Sequence, residues 1–356
     1  MGLSGWLAGL AATCPRPMVV TAPHGTRSRL LVEAELSRRG WRHAGAPAET
    51  GLLVVCGTPA DTLDRAVEVV WTTVPAPGEL VRLRGDAPPE RVAAALDEAV
   101  VRLARPHSPS PGPDTDGMTD VPMAGRGPDR DGLTLDRLHV PLGPVLTDWP
   151  AGLVVETVLQ GDVIQQARVE VAEGLGGERF WDAPWLAALE GHDVTRGEAA
   201  RRLAASHLDS LGRLLAVAGW PGASARARRL RDRLLWERQD REVGRDLLGL
   251  ARAVRRSRTL GWVLRDLPSA QDPAPGGLLR RVGTWLDRTD LALRDLDDGR
   301  PLDDDEGPRG PVGGEPSRGL LAVLPELVTG ADLAAARLVV AGLDPDLDQL
   351  RGARDG

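Results

Sequence analysis

Apolar positions recur at two different periods along this chain, and the change of period divides it. From Pro17 to about Arg105, short apolar runs alternate with stretches of helical spacing. PMVVTAP (Pro17 to Pro23), GLLVVCG (Gly51 to Gly57) and ELVRL (Glu79 to Leu83) predict three strands. The second is a near-continuous apolar run bounded by glycines, the pattern of a strand buried on both faces of a parallel sheet. TRSRLLVEAELSRRG predicts a helix that stops at Gly40, a residue suited to the left-handed position past a helix end. A second helix is expected from about Ala60 to Trp71, and a third in PPERVAAALDEAVVRLA, with proline in its first turn. This β-α-β-α-β-α alternation predicts an α/β domain over residues 1–105, built on a small doubly wound parallel sheet.

Residues 106–132 are rich in Pro, Gly and Asp and show no period, so a disordered linker is expected. A period of two then takes over. Leu153, Val155, Thr157 and Leu159 alternate onto one face, and Val163, Gln165, Ala167, Val169 and Val171 follow on the return. Gln160-Gly161-Asp162 supplies the turn between them, and Gly143-Pro144 a turn before them. Beyond this β-hairpin the period becomes helical. Thr195-Arg196-Gly197-Glu198 has the form of a capping box. It precedes an apolar stripe at Leu203, Leu208, Leu211, Leu214 and Leu215. Further helices are expected at about Ala223 to Gln239, Arg241 to Arg256 and Gly277 to Leu296. Residues 297–319 form an acidic, Gly- and Pro-rich stretch expected to be a flexible insert, and Leu320 to Leu350 the last ordered piece. Residues 133–356 are therefore expected to form an α+β, mainly helical domain that opens with the hairpin.

Composition narrows the classes of function. A chain of 356 residues is long enough for two cores. It contains no Lys, Asn or Tyr, with Phe180 and Ile164 the sole Phe and Ile; all five types use A/T-rich codons, so the composition reflects a GC-rich gene. Arg abundance is then a coding habit before it is a phosphate-binding signal. A net charge of −7 argues against a general nucleic-acid binder. The Arg-dense runs near Arg226 and Arg255 have helical spacing and read as solvated helix faces. Cys14 and Cys56 are too few and too far apart for an iron–sulfur cluster or a structural zinc site. No disulfide framework is indicated, so a reducing cytoplasm is expected. MGLSGWLAGLAATCPRP lacks a basic region before its apolar run, and no run approaches the roughly 20 apolar residues of a membrane span. The expected location is cytoplasmic, at most peripheral on the cytoplasmic face of a membrane.

Two stretches carry a resemblance. LHVPLGPVLTDWPAGLVVETVLQGDVIQQARVEV resembles the opening of the large subunit shared by complex I and nickel–iron hydrogenases. There a Gly-Pro-x-His-Pro turn leads into a strand, a short turn and a second strand. Gly143, Pro144 and Val145 keep that turn, while Leu146 stands at the family's His. Near the other end, ELVTGADLAAARLVVAGLDPDLDQLRG resembles the large subunit's closing segment, where hydrogenases carry Asp-Pro-Cys-x-x-Cys. Asp344 and Pro345 match; Asp346 and Gln349 replace the two nickel-ligand thiolates. The family's His-Arg-Gly-x-Glu-Lys motif is replaced by Glu173 to Arg179.

The N-terminal stretch GLLVVCGTPADTLDRAVEVVWTTVPAPGELVRL is similar to the small, cluster-bearing subunit of the same complexes. Gly57-Thr58 and Val74-Pro75-Ala76-Pro77 fall on its Gly-Thr and Met-Pro-x-Pro signatures. Ala87 occupies a cluster-thiolate position, and Cys14 alone represents the family's tandem cysteines. Cys56 lies inside a strand and reads as a buried, inert thiol.

The resemblance implies a fused pair of redox modules that has lost its redox groups. It implies no nickel and no cluster held by this chain alone. Quinone is the one cofactor it leaves open, although the His at Leu146 and any Tyr are missing. The function implied is a non-catalytic structural or assembly subunit of a respiratory NADH-quinone oxidoreductase or hydrogenase-like membrane complex. Cluster-bearing and membrane subunits are its implied partners. Two other readings stay open: an electron-transfer, quinone-site subunit fed by partner clusters, and a soluble α/β enzyme unrelated to respiration.

Other chemistry is weaker. Gly25 sits between a predicted strand and helix, where amides can cradle phosphate, but one glycine falls short of a G-x-G-x-x-G or P-loop pattern, and an ordinary turn is expected. His207 and Asp209 are two apart and do not face each other on a helix; His207 lies on the apolar stripe and reads as a packed histidine. Asp303 to Glu306 fails the EF-hand pattern, with Leu302 at the first ligand position. Trp181 and Trp185 read as packing or subunit-contact anchors.

Overall fold

The computed structural model describes residues 15–105, 125–128, 134–172, 174, 176–237 and 242–350. It divides into two compact units. The first comprises Met1–Thr147 and Ala151–Gly177, the second Asp148–Pro150 and Glu178–Gly356.

In the first unit, β1 (Met18–Thr21), β2 (Leu52–Cys56) and β3 (Glu79–Leu83) form a parallel sheet in that order. The register pairs Met18 with Leu53 and Leu53 with Leu80. Helices α1 (Thr26–Arg39), α2 (Asp61–Thr72) and α3 (Pro89–Leu103) follow the strands in turn. Gly40 closes α1 in the left-handed conformation, its amide donating back to the last turn.

All five residues of β2 are buried, as its unbroken apolar run requires. Leu53 and Val55 pack with Met18 and Val20 against Leu63 and Val67 of α2. The alternate side chains take the opposite face, where Cys56 lies beside Ser28 and Arg29 of α1. Burial pushes the Cys56 thiol up to about 12, so it stays protonated and inert.

The strand β4 (Gly125–Pro128), β5 (Thr134–Leu142), β6 (Leu153–Gln160) and β7 (Val163–Val171) form an antiparallel sheet in chain order. β4 falls inside the stretch expected to be a linker, where it pairs with β5; residues 106–124 and 129–133 lie outside those described. Leu153, Val155, Thr157 and Leu159 are buried, on the face that their alternation predicts. The return strand follows the expected alternation from Ala167 to Val171 and departs from it at its start. A register shift at Val158/Leu159 pairs Leu159 with Ile164 and leaves Gln165 unpaired. Ile164 is therefore buried and Gln165 exposed, where alternation through Val163 and Gln165 predicts the reverse.

Val145 and Ala172, just outside these strands, join the cluster of Met18, Leu53 and Val67. The second sheet thus belongs to the first compact unit, and the division falls after Gly177. Sequence pattern alone had placed it at the start of the helical domain. The core contact that reassigns it spans more than a hundred residues, beyond the reach of any local period.

The second unit is mainly helical: α4 (Ala183–Leu189), α5 (Arg196–Val217), α6 (Pro221–Asp232), α7 (Val243–Arg256), α8 (Arg258–Leu264), α9 (Gly277–Arg294), α10 (Pro316–Val328) and α11 (Leu333–Leu343). α5 is its hub and packs on α6, α9 and α11. The capping box is formed as its residues predict. The Thr195 amide donates to the Glu198 carboxylate at 2.9 Å, and the Glu198 amide to the Thr195 hydroxyl at 3.2 Å. Thr195→Ala is expected to cost about 1 kcal/mol, with Thr195→Ser close to wild type. Equal melting curves for wild type and the alanine variant would contradict this.

The predicted flexible insert is ordered instead. Residues 297–319 contain the short ladder β8 (Glu306–Gly307) and β9 (Gly310–Pro311), and the first turn of α10. The Leu302 amide donates to the Val194 carbonyl at 2.9 Å, and the Trp185 indole donates to Asp304 at 3.1 Å. Val312 is fully buried with Trp185 and Ala199. Among the described residues, no helix is long and apolar enough to cross a membrane.

Candidate functional site

The second unit encloses a buried polar network. On α5, Ser206, Asp209, Ser210 and Arg213 stand at i, i+3, i+4 and i+7, which places them on one stripe of the helix. The end of α11 faces this stripe. Asp344 adopts a left-handed backbone (φ 51), a conformation that Asp tolerates better than most residues. The turn brings its carboxylate to Ser210, Arg213 and Arg309, all three donating to it. Arg309 lies in the β8–β9 turn, and its side chain is only 3% exposed. It reaches Asp344 at 2.7 Å and the Ser206 hydroxyl, and its guanidinium sits 5.7 Å from the Trp181 ring centre. Behind this group, Arg231 and Asp209 pair at 2.7 Å, both side chains wholly buried.

A second arm continues along the closing segment. The Ser317 hydroxyl donates to the Gln349 amide oxygen at 2.8 Å and accepts from the Asp346 amide at 2.9 Å. Gln349 Nε2 donates to Asp182 at 3.1 Å, and Arg179 pairs with the same carboxylate at 3.0 Å. Asp346 Oδ1 accepts from the Asp348 amide at 3.2 Å, while its Oδ2 has no partner among the described residues.

Burial sets the charges. It pulls the Arg309 guanidinium down, but Asp344, Asp346, Asp209 and Asp182 outweigh it and hold Arg309 above its usual value. Arg281 is lowered by burial, with Asp344 opposing. Burial, aided by Arg309, Arg288 and Arg281, pushes His207 down to about 3, so its imidazole is neutral. His207 is the packed histidine its stripe position predicts, its Nε2 without a partner among the described residues. Asp346 is shifted upward, chiefly by burial.

This arrangement is built for cohesion. Asp182, Asp209 and Asp344 each pair with a guanidinium, so a cation entering here would compete with arginines for the same oxygens. Nickel in the resembled family is held by soft thiolates. At those positions stand a carboxyl group and an amide, and the amide is bonded at both ends. The residues present do not fit the metal. Among the described residues, no group of three or more His, Cys, Asp or Glu is arranged to hold a metal ion.

Three of the residues singled out by sequence, Asp344, Asp346 and Gln349, are thus brought together. The other positions matched to the resembled family lie in the first unit. Gly143 has a positive φ and precedes a cis bond to Pro144. Val145 is core, and Leu146 is half-buried. Ala87 is buried, its carbonyl accepting from Arg27 at 3.2 Å. Cys14 lies outside the described residues. The Gly25 amide closes its turn, donating to the Ala22 carbonyl at 2.9 Å.

Arg309, Ser317, Asp182 and the polar stripe of α5 are not evident in the sequence reading. The stripe had a signal, since Ser206, Asp209, Ser210 and Arg213 repeat at helical spacing beside the leucines. Arg309 had none, standing in the unpatterned run GPRGPVGG. No family model matches this chain, and no curated protein matches it.

Proposed function

We propose that this chain is a non-catalytic structural or assembly subunit of a membrane-associated redox complex, of the NADH-quinone oxidoreductase or hydrogenase-like type. The observation that carries the reading is the network at Asp344, Asp346 and Gln349. Where the resembled family closes on a metal with thiolates, this chain closes on arginine, serine and carboxylate side chains that bind one another. Such a lock preserves the packing of the closing segment without a cofactor. The same logic applies at Ala87, where a buried methyl group replaces a cluster thiolate. In this reading the chain binds neither cluster nor nickel, and electron transfer belongs to its partners.

The test is affinity capture of the tagged full chain from detergent-solubilised host membranes, with partners identified by mass spectrometry. Cluster-bearing and membrane-arm subunits should co-purify in fixed ratio. Recovery of the chain alone, from the soluble fraction, would overturn the proposal.

A further inference from the structure

In the closing segment, one acid differs from its neighbours. Asp182, Asp209 and Asp344 each meet an arginine, whereas Asp346 is 8% exposed and, among the described residues, makes no ion pair and has no partner for Oδ2. A buried ionised carboxylate without a cation is strongly disfavoured, and the ordinary remedy is to keep the proton. Asp182 ahead of α4 and Asp344 at the end of α11 reinforce this; against it stand Arg309, already committed to Asp344, and the Asp348 amide, which donates to Oδ1. Asp182 is linked back to the Asp346 backbone through Gln349 and Ser317.

We propose that Asp346 is a proton-carrying carboxyl group, neutral in the folded chain, that holds the closing segment against α10 and releases it on ionisation. Ionisation would place a negative charge beside those of Asp182 and Asp344. The least costly response is for Asp346 to Leu350 to leave Ser317 and reach water while Asp344 keeps its arginines. The closing segment thereby becomes a latch that opens as pH rises. This holds whichever complex the chain joins, so its failure and that of the proposed function are separable.

The sign follows from linkage. A folded pKa above the unfolded one gives stabilisation that is complete below the ordinary carboxyl range, about pH 4, and declines as pH rises toward the folded value. His207 acts oppositely, since its folded value lies below its unfolded one, so the effect of Asp346 is read as a difference. Unfolding constants of the full-length wild type and of Asp346→Asn, which mimics the neutral acid, are measured at a series of pH values. The ratio of wild type to variant should rise about tenfold per pH unit above pH 4 and level off past the folded pKa. A flat or falling ratio would overturn the proposal. Aspartate-selective carbon-13 NMR of the unmodified chain at about pH 5, roughly one unit above the ordinary carboxyl range, provides a second reading. A neutral carboxyl resonance is expected there, and finding every aspartate ionised would overturn the proposal without reference to the variant.

Discussion

Truncating Arg309 to alanine unfolds or severely loosens the helical unit, at a cost of about 3–5 kcal/mol, the usual range for removing one partner of a buried ion pair. The reason lies in what remains. Asp344 keeps its bonds to Ser210 and Arg213 but loses the buried guanidinium at 2.7 Å, and the Ser206 hydroxyl loses its donor. Arg309→Lys retains the charge but not the planar fork that spans Ser206 and Asp344, so an intermediate loss is expected. Adding Asp344→Asn to the alanine variant should recover part of the loss, because it removes the charge left uncompensated. Denaturant titration followed by tryptophan fluorescence measures all three. Stability of the alanine variant within about 0.5 kcal/mol of wild type would show that the network is ornamental.

Gly25→Ala damages the first unit by about 3 kcal/mol, at the upper end of the range for forced overpacking. The backbone at Gly25 (φ −94, ψ 4) suits any residue, so conformational freedom is not the issue. Space is: a Cβ there would lie 2.1 Å from the Cys56 carbonyl oxygen and 2.8 Å from that of Ala22. Both are backbone atoms at sheet ends and cannot swing aside as a side chain would. Gly161→Ala is the control, having φ 62 and nothing within 4 Å of its added carbon. It should cost only the left-handed backbone penalty, roughly 1–2 kcal/mol. Thermal unfolding by circular dichroism separates the two, and equal melting temperatures would contradict the steric account.

Some of this molecule was legible from local pattern. The strands β1 to β3 and the helices between them follow from apolar runs and helical spacing, because a strand buried on both faces must be apolar throughout. The α5 capping box was readable because its partners are three residues apart. The face of β6 was readable, and so was that of β7 from Ala167 to Val171; at its start the unpaired Gln165 reverses the alternation for Val163 to Gln165.

What sequence alone determined are the features whose causes lie within a few residues: period, cap and turn. Tertiary structure alone decided which unit the second sheet joins, that residues 297–319 are ordered, and which two arginines hold Asp344. Arg309 meets Ser206 across 103 positions and Asp344 across 35. A buried charge is selected by whatever opposite charge packing delivers to it, and no local period encodes that delivery. The same reason explains why Asp346 looked like one more acidic residue in Asp-Pro-Asp-Leu-Asp until the fold committed Arg309 to Asp344.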